Sequence, residues 1–345
     1  LDDIPFPNRT IQIGPGIGCK DIRQVNWKGE CLENGTLGDG GCEDRGWKDG
    51  DIHVIQNYEY SRKEVLMRYK DYKNREYVNQ LFLQLEKDNY FKDEWKERSK
   101  TYNNLNSVHE KDIIDNIINM LNLKHGLKII DAGAGTGIVT NGILEKAIKE
   151  KIEDIEIYAI DQCYSMLEKC SDNKNIKKYI ADIEHMMFIP DNSIDTIVCR
   201  MVLHSEFEKI DKIINEFHRV LKKDGIMVLC EGVPMDDSLL DFYESFLLKK
   251  EKRRVFTKND LIKIIGSKDS SNNNFHNIES KEIILKKQSI KNWLDNSGTE
   301  KGLADEIIRI HSCASKEVKD KINMIEEEND IFCDWNFTII KSKSI

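Results

Sequence analysis

The sequence predicts an α/β fold, a doubly wound parallel sheet flanked by helices, on three observations. Residues 107–231 alternate short apolar runs with stretches of helical spacing, the pattern of strands joined by crossover helices. The runs at Ile129–Ile130, Ile157–Ile160 and Tyr179–Ala181 each lead into an acid: Asp131, Asp161 and Asp182. The first is followed by three alternating glycines, Gly133, Gly135 and Gly137, and then by a new helical pattern. Glycine leaves out Cβ where a chain turns sharply and where a ligand must approach the backbone. This is a buried strand turning into a helix beneath a ligand.

The elements follow in order. Ser107-Val-His-Glu110 reads as a capping box for a helix carrying Ile113, Ile114, Ile117 and Ile118, which makes Ser107 a cap. After the first three strands, Asp195 to His204 (DTIVCRMVLH) forms a fourth strand opening into a loop. Ile210–Lys223 is helical, Gly225 is expected to stop it, and Ile226–Glu231 is a fifth strand. Asp241–Lys252 has helical spacing through Phe242, Phe246 and Leu247, and Thr257 caps a helix with Leu261, Ile264 and Ile265. Ser267–Asn274 is a polar loop, Ile278–Leu285 a sixth strand and Ser289–Glu328 a helical cap around Trp293, Leu294, Leu303, Ile307 and Ile310. IFCDWNFTIIKSK, residues 331–343, is the last strand. Insertions at the carboxyl end of such a sheet border the ligand crevice, so residues 232–330 are expected to shape substrate choice.

The glycine spacing points to a ligand class. A dinucleotide turn wants G-x-G-x-x-G, and the position for its third glycine is Ile138. The tighter G-x-G-x-G preceded by an acid suits a ligand without a pyrophosphate, whose cationic amino-acid end lies near a carboxylate; S-adenosylmethionine is such a ligand. An acid closing the second strand, Asp161, can accept both ribose hydroxyls, and Asp182 stands where an adenine amino group could be held.

The segments IIDAGAGTG, IYAIDQCYSML, YIADIEHMMFIPDNSIDTIVCRMVLH and FHRVLKKDGIMVL resemble the class I S-adenosylmethionine-dependent methyltransferases. The likeness is to their small-molecule branch, around the ubiquinone/menaquinone and biotin-pathway enzymes. It covers residues 90–232, with 331–343 as a plausible last strand. It implies a Rossmann-like sheet of seven strands, the last antiparallel, with S-adenosyl-L-methionine as cofactor. It implies that Asp131, Gly133, Gly135 and Gly137 line the methionine end. Asp161 would take the ribose, Gln162 and Met166 flank the adenine, and Asp182 and the backbone of Ile183 bind its edge. Arg200 would begin the loop beside the sulfonium. Trp95 to Asn104 resembles the family's amino-terminal helix, whose tyrosine closes over the cofactor, which makes Tyr102 a site candidate; an ordinary half-buried tyrosine is the alternative.

Composition frames the rest. At 345 residues the chain has room for one embellished domain or two modest ones. A net charge of −9 without a long basic stripe argues against nucleic acid as partner. No apolar run reaches transmembrane length, and LDDIPFPNRT does not read as a signal peptide. Nine cysteines without close pairs fit a reducing cytosol. Residues 1–57 hold ten of the twenty glycines and form a turn-rich extension outside the resemblance, with short strands expected at Thr10–Ile13 and Ile52–Gln56. Its Cys19, Cys31 and Cys42 are spaced too widely for a structural zinc site even with His53, so no metal is expected. Residues 58–106 read as a charged helical lid or connector: Val65, Leu66, Tyr69, Tyr72, Val78, Leu81, Phe82 and Leu85 recur at roughly helical spacing. Residues 107–345 then form the catalytic domain, with the helical cap at about 288–330.

The chemistry expected is in-line methyl transfer, in which alignment and desolvation supply most of the acceleration. A base helps only if the acceptor must lose a proton. His204, just past the fourth strand, is the best-placed base; a structural histidine bonded to the following helix is the alternative. His109 and Glu231 are weaker candidates, and His218 reads as structural. The fourth-strand loop is Cys-Arg-Met-Val rather than the Asn/Asp-Pro-Pro-Tyr of enzymes that methylate nucleic-acid amines, and no Pro-Cys dipeptide occurs. The expected acceptor is an O, N or C atom of a small molecule. A protein or peptide methyltransferase and a non-catalytic cofactor-binding regulator are the alternatives. Lys249–Arg254 is a run for an anionic substrate or, as charged runs usually are, a solvated helix face. Acceptor and oligomeric state are not legible in the sequence.

Overall fold

The computed structural model describes residues 25–26, 52–57, 63–68, 95–186, 189–266 and 274–345. Its centre is a parallel sheet of β4 (Lys128–Ala132), β5 (Glu156–Asp161), β6 (Ile176–Ile180), β7 (Ile194–Arg200) and β8 (Leu221–Val233). β4 pairs in parallel with β5 on one side and β7 on the other, Ile129 facing Ile157 and Thr196. β11 (Asp330–Ser344) runs antiparallel to β8 and to β9 (Phe275–Ser289). The order β6-β5-β4-β7-β8-β11-β9 makes seven strands with the last antiparallel. The chain winds outward in both directions from β4, so a crevice opens between the carboxyl ends of β4 and β7, where open α/β sheets bind ligands.

The alternation of side chains explains why β4, β5, β7 and β8 each hold a continuous apolar run, at Ile129–Ile130, Ile157–Ile160, Ile197–Cys199 and Ile226–Cys230. Ile129, Ile157, Ala159 and Val198 face one layer, with α2 (Lys111–Met120) and α3 (Ile138–Glu150) packed on it. Ile130, Tyr158, Ile160, Ile197 and Cys199 face the other, under α5 (Ile210–Val220) and α7 (Lys258–Gly266). Burial on both faces replaces an alternating pattern with a continuous apolar one. Each fully buried Ile contributes about 1.5–3 kcal/mol. A third core joins α6 (Leu240–Lys250), α8 (Ile290–Asn296) and α9 (Lys301–Ser312) through Phe246, Leu294 and Ile307. α10 (Lys316–Lys321) and β10 (Ile325–Glu327) lead back to β11.

On the far edge, β2 (Ile52–Asn57) lies parallel to β6 and antiparallel to β3 (Lys63–Arg68), which carries β1 (Val25–Asn26). The strand expected at Ile52–Gln56 is therefore present, but the helix expected over 58–106 is not present at Lys63–Arg68. Three successive apolar residues, Val65–Met67, satisfy either period, and edge pairing decides for the strand. Residues 95–109 hold only α1 (Lys96–Ser99; α4 is Tyr164–Leu167) and two single-turn helices. Tyr69, Tyr72, Val78, Leu81, Phe82 and Leu85 lie outside the described residues, as do Thr10–Ile13, Cys19, Cys31, Cys42 and most of the loop at 267–274.

Two smaller expectations are corrected. Ser107 lies inside the turn Asn106–His109, and Glu110 is the N-cap of α2, with no side-chain cap bond. Gly225 does not stop α5: the helix ends at Val220 and passes directly into β8, and Asp224 takes the left-handed conformation (φ 60°). Thr257 does cap α7's start, exchanging hydrogen bonds with Asp260 in both directions.

Candidate active site

The glycine loop joins β4 to α3. Gly133, Gly135 and Gly137 all have positive φ (73°, 53° and 80°), which an L side chain adopts only at a cost. They differ in what surrounds them. A Cβ on Gly133 would lie 2.2 Å from Val202 Cγ2, and one on Gly137 2.4 Å from Cys170 Sγ. A Cβ on Gly135 would meet nothing within 4 Å. The loop is therefore close-packed at its two ends and open at its middle.

Asp161, at the carboxyl end of β5, borders that opening. Its carboxylate accepts from Gly135 N–H (2.7 Å) and Cys163 N–H (2.8 Å). Gln162 is exposed beside it, while Met166 and Ile183 are buried. Asp131 is placed otherwise than a binding-face acid: it is 1% exposed and accepts from Thr140 N–H (3.0 Å) and Oγ1–H (2.6 Å) at the start of α3. Burial pushes its pKa up to about 6, against the two Thr140 hydrogen bonds. Asp182 is committed to Lys209, whose ammonium lies 2.9 Å away, and also accepts from Glu184 N–H.

The segment 95–109 closes over this end of the sheet. Asn103 Oδ1 accepts from Thr136 Oγ1 of the glycine loop (2.7 Å), and Lys169 donates to Ser99 O. Thr101 Oγ1 donates to Asn296 O, and Asn292 Nδ2 to Asn104 O, which ties the segment to α8. Arg200 fixes it from beneath, donating to Val108 O (3.0 Å) and Ser107 O (3.1 Å). The Arg200 side chain is thus a clasp on this segment. Half-buried Tyr102 lies among Arg200, Arg98 and Asp161; burial pushes its phenol pKa up although both guanidiniums oppose this.

His204 stands on the loop after β7. That loop opens with Met201 in the left-handed region (φ 57°), a conformation that a non-glycine residue keeps only where its surroundings impose it. Here Met201 N–H donates to Cys230 O, and its sulfur accepts from Gly232 N–H. The loop ends on Glu231, which is 1% exposed. Glu231 Oε1 accepts from Val202 N–H (2.9 Å) and Leu203 N–H (2.7 Å), and Oε2 lies 2.9 Å from His204 Nδ1. A carboxylate accepts, so Nδ1 carries the proton and Nε2 is left as an acceptor. Nε2 lies 3.9 Å from Glu251 Oε1. Glu231 is thus the partner that orients His204, where the sequence reading had it as a weaker base. An acid closing a fifth strand, as Asp131 and Asp161 close the first two, was the available signal. Arg98 had none, because its contact with Glu251 joins residues 153 positions apart; Glu251 lies within the charged run Lys249–Arg254. His109 bonds Asn103 O on the exposed segment, and His218 packs edge-on to Phe275. Among the described residues no group of three or more His, Cys, Asp or Glu is placed to hold a metal.

Residues 130–229 match the family model described as methyltransferase domain. The chain is 25% identical over 210 residues to the uncharacterized methyltransferase YcgJ of Bacillus subtilis, covering 59% of this chain and 78% of that protein. It is 31% identical over 111 residues to the ubiquinone/menaquinone biosynthesis C-methyltransferase UbiE of Campylobacter jejuni. That match covers 32% of this chain and 47% of the relative, about half its length. The crystal structure of YcgJ superposes with a TM-score of 0.54 at 21% identity, over 67% of this chain and 98% of that one. The crystal structure of BH2331 from Bacillus halodurans C-125 superposes at 0.56 with 18% identity, over the same shares. Residues 130–229 therefore carry a methyltransferase domain, on a sheet with the fold of the class I S-adenosylmethionine-dependent methyltransferases. Among the described residues, no helix is long and apolar enough to cross a membrane.

Proposed function

We propose that the enzyme methylates an O, N or C atom of a small molecule, with the His204–Glu231 pair as proton acceptor. The observation that carries this reading is the anchoring of His204: three donors converge on one buried carboxylate, and the far ring nitrogen is left to meet an acceptor. The relatives named for ubiquinone and menaquinone C-methylation support a small-molecule acceptor. The six described cysteines are free thiols, and we assign the protein to the cytosol.

The residues present fit the cofactor. The open middle of the glycine turn leaves room at Gly135, where a Cβ would intrude. Gly133, Gly135 and Gly137 would hold the methionine end, with Asp131 supplying negative charge from beneath. Asp161 would hold the ribose, and Gln162, Met166 and Ile183 the adenine. Asp182 would serve the adenine edge only by sharing its carboxylate with Lys209. Tyr102 would close the site, with Arg200 keeping its segment in place. S-adenosylmethionine supplies an electrophilic methyl group on a sulfonium. The chain aligns the acceptor with it, keeps water out beneath the 95–109 segment and takes the acceptor's proton at His204 Nε2. Glu231 stabilises the imidazolium that results.

The test is a screen for S-adenosylhomocysteine release with small-molecule acceptor pools, repeated with His204→Gln and Glu231→Gln. We expect turnover to fall about 10²–10⁴-fold in His204→Gln, with unchanged cofactor affinity. Equal turnover would remove His204 as the base.

A further inference from the structure

We propose that Arg98, Lys250 and Arg253, beside His204, form a subsite for an anionic group, a carboxylate or a phosphate, carried by the methyl acceptor. The proposal rests on the reading of His204 as the acceptor-facing residue.

The run Lys249–Arg254 is only partly the solvated face that charged runs usually make. Lys249, Lys252 and Arg254 are 49%, 73% and 49% exposed, whereas the side chains of Lys250 and Arg253 are 4% and 8% exposed. A three-residue step turns these two inward, and Arg98 of α1 reaches the same place from the covering segment. All three meet one carboxylate. Glu251 lies 2.9 Å from Arg98 Nη1, 3.0 Å from Arg253 Nη1 and 3.9 Å from Lys250 Nζ. The other nearby acid, Glu231, is already occupied by His204 and two backbone N–H groups.

Positive charge is therefore in excess. Burial would raise the Glu251 pKa, but the cations Lys250, Arg98 and Arg253 bring it down to about 2. Burial and Arg98 push the Lys250 ammonium down to about 8, with Glu251 opposing and Arg253 adding to the shift. Donors are also in excess. The Nε atoms of Arg98 and Arg253 are buried without a partner, and Lys250 makes a long hydrogen bond to Ser297 O, at 3.4 Å. Each unmade bond costs about 1–3 kcal/mol, so a fold that keeps several together in one place has a use for them.

The placement gives the use. Arg98 and Glu251 are 22% and 20% exposed, so the cluster reaches solvent on that side. His204 Nε2 lies 3.9 Å from Glu251 Oε1, so an anion joining Glu251 lies next to the proton acceptor. The planar forks of the arginines match carboxylate and phosphate oxygens alike, and Lys250 adds a point charge. Glu251 keeps the cations gathered when no acceptor is bound.

The test is calorimetric titration of the full chain, loaded with S-adenosylhomocysteine, with inorganic phosphate and separately with acetate, at ionic strength held constant with chloride. Saturable binding of either anion is expected, and the tighter one names the class. Arg253→Gln should weaken it about tenfold or more, the loss of a charge-assisted bond. Glu251→Gln should strengthen it, and neither variant should change S-adenosylhomocysteine affinity. Should Arg253→Gln not fold, Lys250→Gln carries the same comparison. Anion binding that does not saturate, or that survives unchanged in these cation variants, overturns the proposal. Failure of S-adenosylhomocysteine to bind the wild-type chain would overturn the cofactor-site reading instead, a separate result from cofactor bound with no anion.

Discussion

Gly135 and Gly137 have the same backbone hand and opposite surroundings, and this separates ligand binding from folding. Alanine at Gly135 meets no atom within 4 Å, so only the left-handed backbone is penalised, by about 1–2 kcal/mol. It intrudes where the methionine end would lie, and we expect cofactor affinity lost with the fold intact. Alanine at Gly137 runs into Cys170, including its backbone Cα at 3.0 Å, and adds about 1–3 kcal/mol of overpacking. Thermal unfolding and calorimetry on the two variants check this; similar melting losses in both would refute it. Asp131 gives a pH signature. Its folded-state pKa of about 6 lies above the ordinary 3.8, so it favours the folded state fully below about pH 4. That contribution is lost as pH rises through about 6. Asp131→Asn, still an acceptor for Thr140, should gain up to about 3 kcal/mol over wild type at pH 8, with the gain shrinking as pH falls from 6 to 4. Denaturant unfolding across that range reads it. A constant difference would mean that Asp131 is ionised throughout.

At the scale of elements, the segment 95–109 has little regular structure and few buried side chains: Ser99, Leu105 and Val108. Hydrogen bonds to separate elements hold it: to Thr136 in the glycine loop, to Lys169, to Glu251, to α8 and to Arg200 at the end of β7. Such a segment lies at the low end of local stability, as parts that must open for a ligand do. Arg200→Met removes both bonds to the turn Asn106–His109. We expect faster amide exchange over 101–109 and cofactor affinity reduced about tenfold, the sheet core being unaffected. Exchange unchanged across the segment would mean that the clasp carries no weight. The same scale shows where periodicity misleads. Lys63–Arg68 carries an apolar triplet compatible with helix or strand, and pairing with β2 decides. Ser107 has the spacing of a cap, but the chain turns twice before α2 begins, and Glu110 takes the position. At Gly225 the chain turns on Asp224 instead.

For the whole molecule, the sheet and the glycine turn were legible because their signals are local. The middle strands β4, β5 and β7 are buried on both faces and carry apolar runs, each of the first three strands leads into an acid, and the glycine turn is contiguous. Those residues had to be what they are wherever the rest of the chain went. The other half of the site was legible only as separate candidates, His204, Glu231 and the run Lys249–Arg254, because it is assembled from separated pieces. Arg98 meets Glu251 across 153 positions, and Glu231 meets His204 across 27. No period or spacing encodes such contacts, and a charged run reads alike whether its cations face water or one another. The sequence by itself determined the fold class and the methyltransferase domain it carries. Only the tertiary structure decided that Asp131 is sealed beneath the loop, that Asp182 is shared with Lys209, that Arg200 clasps the covering segment, and that Lys250 and Arg253 are buried beside His204. The difference is physical: backbone conformation and strand burial are written in neighbouring residues, whereas desolvation and charge pairing depend on what long-range packing brings together.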